Sequence, residues 1–271
     1  MSASPPMAGQ RMRYRMLALI AFATTLNYLD RSLIGIAAPH IREDLHLEAS
    51  TLGVLFSVFS WSYALAQLPG GWLLDRLGTR LTYFISLACW SAVTALHSVA
   101  YGLRTLFTMR LLLGAAEAPC FPANSRVLVT WFPRRERARA NSVYSVGMYV
   151  GIAFLSPVLY WITARFGWRS LFAIVGLIGV AYAFVWLRLY REPADAGGAS
   201  AEELQLIRSG GALAEVPRNE KVNWAVVGWL LRQRQVVGAS IGQFATNATL
   251  VFFLTWFPTY LATERHMAWI K

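Results

Sequence analysis

Of 271 residues, 56% are hydrophobic and only 14% are charged, a balance that excludes an ordinary soluble domain and fits a chain whose main solvent is lipid. The formal net charge of +11 would suit a nucleic-acid binder only if it formed a basic face interleaved with exposed aromatics on a soluble fold. Here the basic residues collect between apolar runs, so no nucleic-acid partner is expected.

Crossing a bilayer takes about 20 apolar residues, and seven stretches are long enough: 16–38, 52–74, 81–103, 105–131, 140–164, 169–189 and 236–262. The first follows a basic leader, as a signal peptide would. It runs on through Asn27-Tyr28-Leu29-Asp30-Arg31 without a small-residue cleavage site, so it is expected to remain as a span. Asn27 and Arg31 are one turn apart and Tyr28 is three residues before Arg31, which lines all three along one wall with Asp30 beside it. Span 2 carries Tyr63 and Gln67 one turn apart.

On span 4, Arg110, Gly114 and Glu117 fall at i, i+4 and i+7, one stripe about 10 Å long. Gly114 leaves room there for a substrate or for a neighbouring helix. Pro119 and Pro122 are expected to kink the span. Arg126, in the cytoplasmic half of span 4, is expected to snorkel or to cap a cytoplasmic network rather than touch substrate. Cys89 and Cys120 read as small apolar packing residues within spans. Beyond span 6, 192–198 has linker composition, 201–207 reads as a short helix and 222–231 as an interfacial helix. Span 7 then offers Gln243 and Asn247 one turn apart. His40, His46, His97 and His266 lie near loops without metal-ligand spacing, so no metal and no cofactor is expected.

A charge at the centre of a membrane helix costs about 2.5–3.5 kcal/mol on insertion scales, so it faces a partner or a watered cavity. Arginine's planar fork binds carboxylates by two charge-assisted bonds, which makes an anion the expected substrate of Arg31 and Arg110. Burial favours a protonated carboxyl and a nearby arginine favours an ionised one, so Asp30 and Glu117 would load and release protons as the arginines engage and leave a substrate. Simpler roles fit the same residues. Arg110 and Glu117 would each bond a neighbouring helix and fix packing; Asp30 would form a standing salt bridge with an arginine; the polar pairs of spans 2 and 7 would be interhelical hydrogen bonds.

The loop arginines set the expected orientation. Arg11, Arg13, Arg15, Arg76, Arg80, Arg134, Arg135, Arg137 and Arg139, with the basic residues of 188–235, fall on the face of the N-terminus, which is therefore taken as cytoplasmic. A repeat underlies the first six spans: Arg76-Leu77-Gly78-Thr79-Arg80 recurs as Arg165-Phe166-Gly167-Trp168-Arg169. That offset carries Asp30 to within two positions of Glu117. Three spans is an odd number, so the two copies have opposite topology, as in secondary transporters with a mid-membrane site.

Gly71-Trp72-Leu73-Leu74-Asp75-Arg76-Leu77-Gly78-Thr79-Arg80 matches the loop 2–3 signature of the major facilitator superfamily, G-x-L-x-D-R-x-G-x-R/K, at every fixed position. Arg110-Leu111-Leu112-Leu113-Gly114 resembles its span 4 signature, and Gly147, Gly151 and Pro157 its glycine-rich span 5. Asn27-Tyr28-Leu29-Asp30-Arg31, the stretches 114–119 and 121–126, and 253–261 together resemble the anion:cation symporter branch, which includes sugar-acid, hexuronate and aromatic-acid transporters. The resemblance implies proton coupling at Asp30 and Glu117. It implies anion binding at Arg31 and Arg110, a pocket wall at Tyr28, and a cytoplasmic gate at Asp75, Arg76 and Arg80. Tyr63, Gln243 and Asn247 complete the expected substrate contacts. A departure is Met148, near which polyol-acid members often carry a polar residue.

The expected fold is an all-α polytopic membrane protein, a major facilitator N-terminal six-helix bundle of two inverted repeats of three spans. The bundle occupies 1–190, a cytoplasmic linker 191–235, and a seventh span opening an incomplete second bundle 236–271. The expected function is proton-coupled symport of small organic anions, sugar acids or related carboxylates, across the inner (plasma) membrane. Its partners would be the anion, protons and the lipid bilayer. The alternatives are an exporter of other organic compounds or a non-transporting fragment. The superfamily's members have twelve spans, so a truncated chain is expected, with the missing C-terminal half needed for activity. No enzyme is expected, because serine elbows, His-Glu metal motifs and phosphate loops do not occur.

Overall fold

A computed structural model describes residues 12–193, 199–212, 224–257, 260–261 and 264–265. Linker positions 194–198 and 213–223, Pro258 and Thr259 of the 253–261 motif, His266 and the Met148 side chain lie outside the described residues.

The described elements are helical: α1 (Met12–Asp44), α2 (Ala49–Leu96), α3 (Leu103–Glu117), α4 (Cys120–Trp131), α5 (Arg134–Leu189), α6 (Ala201–Ser209), α7 (Trp224–Leu230) and α8 (Arg234–Val251), the last passing into a π-helical turn at Phe252–Trp256. Two of them are far too long for one crossing. At 1.5 Å per residue the 48 residues of α2 and the 56 of α5 would extend about 70 and 85 Å if straight, against a hydrocarbon core of about 30 Å. Each folds back at one glycine. Gly78 (φ 77°, ψ 172°) splits α2 into spans 2 and 3, and Gly167 (φ 81°, ψ 162°) splits α5 into spans 5 and 6. That region of backbone space is open essentially to glycine alone. Within 49–99 and 134–189, windows of 18 residues are apolar enough to cross a membrane, with mean hydropathies of 1.4 and 2.2.

The two copies of the turn are stapled alike. Arg80, starting span 3, donates Nε and Nη2 to the Leu187 carbonyl at the end of span 6, at 3.0 and 2.6 Å. Arg169, starting span 6, donates Nη2 to the Ala100 carbonyl just past span 3, at 3.1 Å, and Nη1 to Asp44 at 2.5 Å. Each arginine satisfies a carbonyl that the end of a helix leaves without an intrahelical donor. Spans 3 and 6 are thus tied at both membrane edges by equivalent residues.

Span 4 is interrupted between α3 and α4 at Ala118-Pro119. Proline has no N–H to continue the ladder, while Pro122 sits in the first turn of α4, where an N–H would be unpaired in any case. Gly114 settles against a neighbouring helix rather than a cavity: a methyl group there would collide with Ser62 Oγ and the Phe59 carbonyl of span 2.

Apolar side chains form two separate cores. One, towards the edge that holds the N-terminus, gathers Ile20, Tyr83, Trp90, Val127, Trp131 and Trp186; the other, towards the opposite edge, gathers Leu33, Ile34, Leu55, Leu106, Leu171 and Phe172. Between them α1 contributes buried Asn27 and Asp30, and α3 buried Arg110 and Glu117. The bundle is a polar layer between two apolar ones.

Helix α6 lies in the stretch expected as linker and is docked beneath the bundle. Ser200 caps it, accepting from Glu203 N at 3.1 Å. The buried Glu203 carboxylate in turn accepts from Met12 N and Arg13 N at 3.4 and 3.0 Å, a negative charge on the positive end of α1. Arg137 donates to the Gly211 carbonyl at 2.9 Å. In contrast, none of the side chains of α8 is buried.

Candidate functional site

Asp30 and Arg31 are neighbours on α1, so their side chains leave the helix about 100° apart. Arg31 points between α1, span 2 and span 4, where its Nε donates to Glu117 Oε2 at 2.9 Å. The carboxylate is fully buried. Four aromatic rings surround the guanidinium: Tyr63 at 4.6 Å, Tyr28 at 5.2, Phe59 at 5.3 and Phe121 at 5.8 Å from its carbon to the ring centroid. Such rings attract a cation through their negative faces, more strongly where water is excluded. Arg110 lies over the other part of this wall, 4.8 Å from the Phe59 centroid.

The ion pair therefore crosses between helices. Pairing of Asp30 with an arginine is not what the geometry gives; Arg31 takes Glu117 instead. Asp30 is buried, with Oδ1 lacking a hydrogen-bond partner, and so are Arg110 Nε and Nη1, Asn27 Oδ1 and Nδ2, and Glu117 Oε1. Arg31 Nη2 is equally uncommitted. Native proteins pair the great majority of buried polar atoms, so this concentration of free donors and acceptors sets the layer apart from a packing network. Two arginines and two carboxyls balance in charge, with donor capacity left on both guanidinium groups.

Five of the six expected substrate contacts, Tyr28, Arg31, Tyr63, Gln243 and Asn247, line one space, and the sixth, Arg110, lines a smaller one beside it. A cavity of about 260 Å³ is bounded by Tyr28, Arg31, Tyr63, Phe121, Gln243 and Asn247. A smaller one of about 50 Å³ adjoins it, bounded by Arg31, Phe56, Phe59, Arg110, Asn247 and Thr255. Gln243 and Asn247 arrive on α8 from far along the chain and face the α1 and span 2 residues. Phe59, Ser60 and Phe121 also line the space without having been singled out from sequence. Phe59 precedes Tyr63 by one turn and the rings stack at 5.9 Å, so the spacing that marks Tyr63 and Gln67 as one face would have found it too. Phe121 falls one turn beyond Glu117 across the helix break, where spacing alone gives no face.

On the edge side of the layer a second set of polar groups is fully paired. Tyr83 Oη donates to Asn124 Oδ1 at 3.0 Å and Asn124 Nδ2 donates to Thr24 Oγ1 at 2.9 Å, while Cys120 Sγ lies 3.3 Å from the tyrosine oxygen. Cys120 is thus a polar contact as well as a packing residue. The expected gate residues sit farther out. Asp75 bonds Arg126 Nη2, whose Nη1 donates to the Leu74 carbonyl at 2.8 Å, and Arg76 lies 5.3 Å from the Trp72 ring. Arg126 ties the ends of spans 2 and 4 and does not reach the cavity. His97 is buried, with Nδ1 2.8 Å from the Val93 carbonyl and its ring stacked on Phe172. Among the described residues no group of three or more His, Cys, Asp or Glu side chains is placed to hold a metal.

Comparison with known proteins adds to this geometry. The family model described as Major Facilitator Superfamily matches residues 20–271. A D-galactonate transporter of Escherichia coli O6:H1 is 40% identical over 266 residues, covering 96% of this chain and 62% of the relative. A hexuronate transporter of Bacillus subtilis is 33% identical over 252 residues, covering 93% of this chain and 57% of the relative. The chain thus spans about three fifths of the length of these relatives. Among solved structures, a bacterial homolog of the human lysosomal transporter Spinster, inward-facing and occupied, superposes with a TM-score of 0.57 at 26% identity, over 68% of this chain and 46% of that one. With the signature loop, the six-span bundle and the family match in agreement, this chain is a member of the major facilitator superfamily.

Proposed function

We propose that this chain supplies one half of the transport path of a proton-coupled symporter for small organic anions of the sugar-acid class, with Arg31 and Arg110 binding the substrate carboxylate and Glu117 and Asp30 carrying the proton. The observation that carries the proposal is the Arg31–Glu117 bond at the wall of the cavity. A carboxylate entering the cavity competes with Glu117 for Arg31. Once displaced, Glu117 is a buried carboxylate without its partner, a state that costs several kcal/mol and is relieved by taking a proton from the loading side. Anion and proton then move together, and departure of the anion returns Arg31 to Glu117 with release of the proton. The sugar-acid class is supported by the names of the relatives, and by rings at the cavity wall that would pack against a carbohydrate face.

In the same proposal 1–190 is the bundle, 191–235 the linker and 236–271 the seventh span, in an inner membrane with the N-terminus in the cytoplasm. The excess of basic residues on the N-terminal edge supports that orientation.

The test is uptake of labelled galactonate and hexuronate into vesicles under an imposed pH gradient, in the full-length protein carrying this sequence. Removing one partner of a desolvated charge pair costs about 2–5 kcal/mol, so Arg31→Ala and Arg110→Ala are expected to lower uptake by about 100-fold. Glu117→Gln should keep anion binding and lose the response to the gradient. Unchanged gradient-driven uptake in all three variants would overturn the assignment.

A further inference from the structure

The largest of the cavities described lies outside the transport site. It measures about 520 Å³ and sits at the N-terminal edge of the membrane, between the first turns of α1 and the last turn of span 6. Arg15, Arg188 and Arg191 line it, with Met16, Leu19 and Leu189 as apolar walls. Just towards the membrane centre, Tyr182 Oη donates to the Leu19 carbonyl at 2.8 Å, which fixes the two helices at that spacing.

The arginines here are largely uncommitted, unlike several others in the bundle. Arg31, Arg80, Arg126, Arg137 and Arg169 each give at least one donor to a protein carbonyl or carboxylate. Among the described residues Arg15 and Arg188 make no hydrogen bond or ion pair, and Arg191 gives one N–H to the Tyr190 carbonyl at 3.0 Å out of the five a guanidinium carries. Three positive groups converge on a space with apolar walls and, among the described residues, no carboxylate in its lining. The outer flank continues as exposed apolar surface, with Phe22, Phe184 and Val185 turned outward from α1 and span 6.

From this we infer an anionic phospholipid site, in which the three guanidinium groups hold the headgroup phosphate and the Phe22–Phe184 flank receives the acyl chains. A free phosphate would satisfy the arginines but leave the apolar walls and flank without a purpose. Basic pockets between spans at a membrane edge suit lipids whose phosphate is not neutralised by a choline or ethanolamine. A volume of 520 Å³ falls within the range of ordinary ligand pockets, about 300–1,000 Å³. The inference rests on the membrane reading of the bundle and is independent of which anion is transported.

The experiment is native mass spectrometry of the purified chain in detergent, titrated with phosphatidylglycerol, cardiolipin or phosphatidylcholine. The two anionic lipids are expected to be retained at least about tenfold more tightly than phosphatidylcholine. A basic side chain near an anionic lipid surface is worth about a fivefold factor, so the triple variant Arg15→Ala, Arg188→Ala, Arg191→Ala should weaken their retention by about 100-fold. Ala18→Trp, which adds bulk at the lining while leaving every charge in place, should weaken it as well. Replacing the exposed Arg42, Arg104 and Arg165 of the opposite edge by alanine should leave retention unchanged. Equal retention of phosphatidylcholine would overturn the site, as would full retention by the triple variant or by Ala18→Trp. Displacement of the lipid by millimolar inorganic phosphate alone would also overturn it and assign the pocket to a soluble anion. Because Ala18→Trp and the lipid comparison keep the arginines, a folding defect in the triple variant leaves the test decisive.

Discussion

Arg31 combines two properties that a lysine could not reproduce: a planar fork with a donor still free beyond the Glu117 bond, and a flat cation that four rings can flank. Arg31→Lys keeps the charge and loses the second, parallel bond to a carboxylate. Substrate affinity should fall by about tenfold, or ~1.4 kcal/mol, while maximal uptake changes less. The KM for uptake in the full-length protein measures this, and an unchanged KM would mean that charge alone suffices. These residues were legible in sequence because charge in an apolar run is expensive, which singles out Asp30, Arg31, Arg110 and Glu117 before any fold is known. Their partnership was not legible. Adjacent residues such as Asp30 and Arg31 diverge around the helix, and Arg110 and Glu117 lie two turns apart, so the bond that forms is the one between helices.

At the scale of elements, the recurrent Arg-x-Gly-x-Arg-type turn carries most of the architecture. Gly167 has φ 81°, yet a methyl group built there would meet nothing within 4 Å. The cost of Gly167→Ala is therefore conformational, about 1–3 kcal/mol, and should appear as a lower melting temperature in detergent. Gly71→Ala makes a matched control: it is equally open but lies within α2 without a positive φ, and should gain about 0.5–1 kcal/mol. Equal melting temperatures for the two variants would mean that the turn does not depend on its glycine. The repeat and the existence of six spans were visible in sequence through hydropathy and the turn motif. Helix ends were less so. Helix α1 runs from Met12 to Asp44, beyond the apolar stretch 16–38, because helical hydrogen bonding continues where the hydropathy falls. The docking of α6 escaped altogether, since it depends on Glu203 meeting the N-terminus of α1, a contact 190 residues apart in sequence.

Over the whole molecule, two apolar cores hold a charged layer between them, and the edges are closed by arginine staples of unequal chemistry. At the edge opposite the N-terminus, the hydrogen bond from Arg169, helped by Trp168 Nε1 at 3.2 Å, holds the Asp44 carboxyl below its usual range. A carboxylate lowered in the folded state stabilises at pH above its unfolded value, and that contribution fades as pH falls through the folded value. The melting temperature of the native chain should therefore exceed that of Asp44→Asn at neutral pH, with the gap closing below about pH 4. A gap that persists undiminished in acid would assign the effect to packing instead.

Arg80 and Arg169 are the same part used twice, but only one of them has a titratable partner. Leu187 offers Arg80 a carbonyl, which no change of pH alters, whereas Arg169 shares itself between the Ala100 carbonyl and the Asp44 carboxylate. In the proposed orientation the acid-blind fastener faces the buffered cytosol and the acid-responsive one faces the surroundings, where proton concentration varies. A pseudo-symmetric scaffold thereby acquires a chemical polarity: acid outside would loosen its outer rim and leave its inner rim fixed.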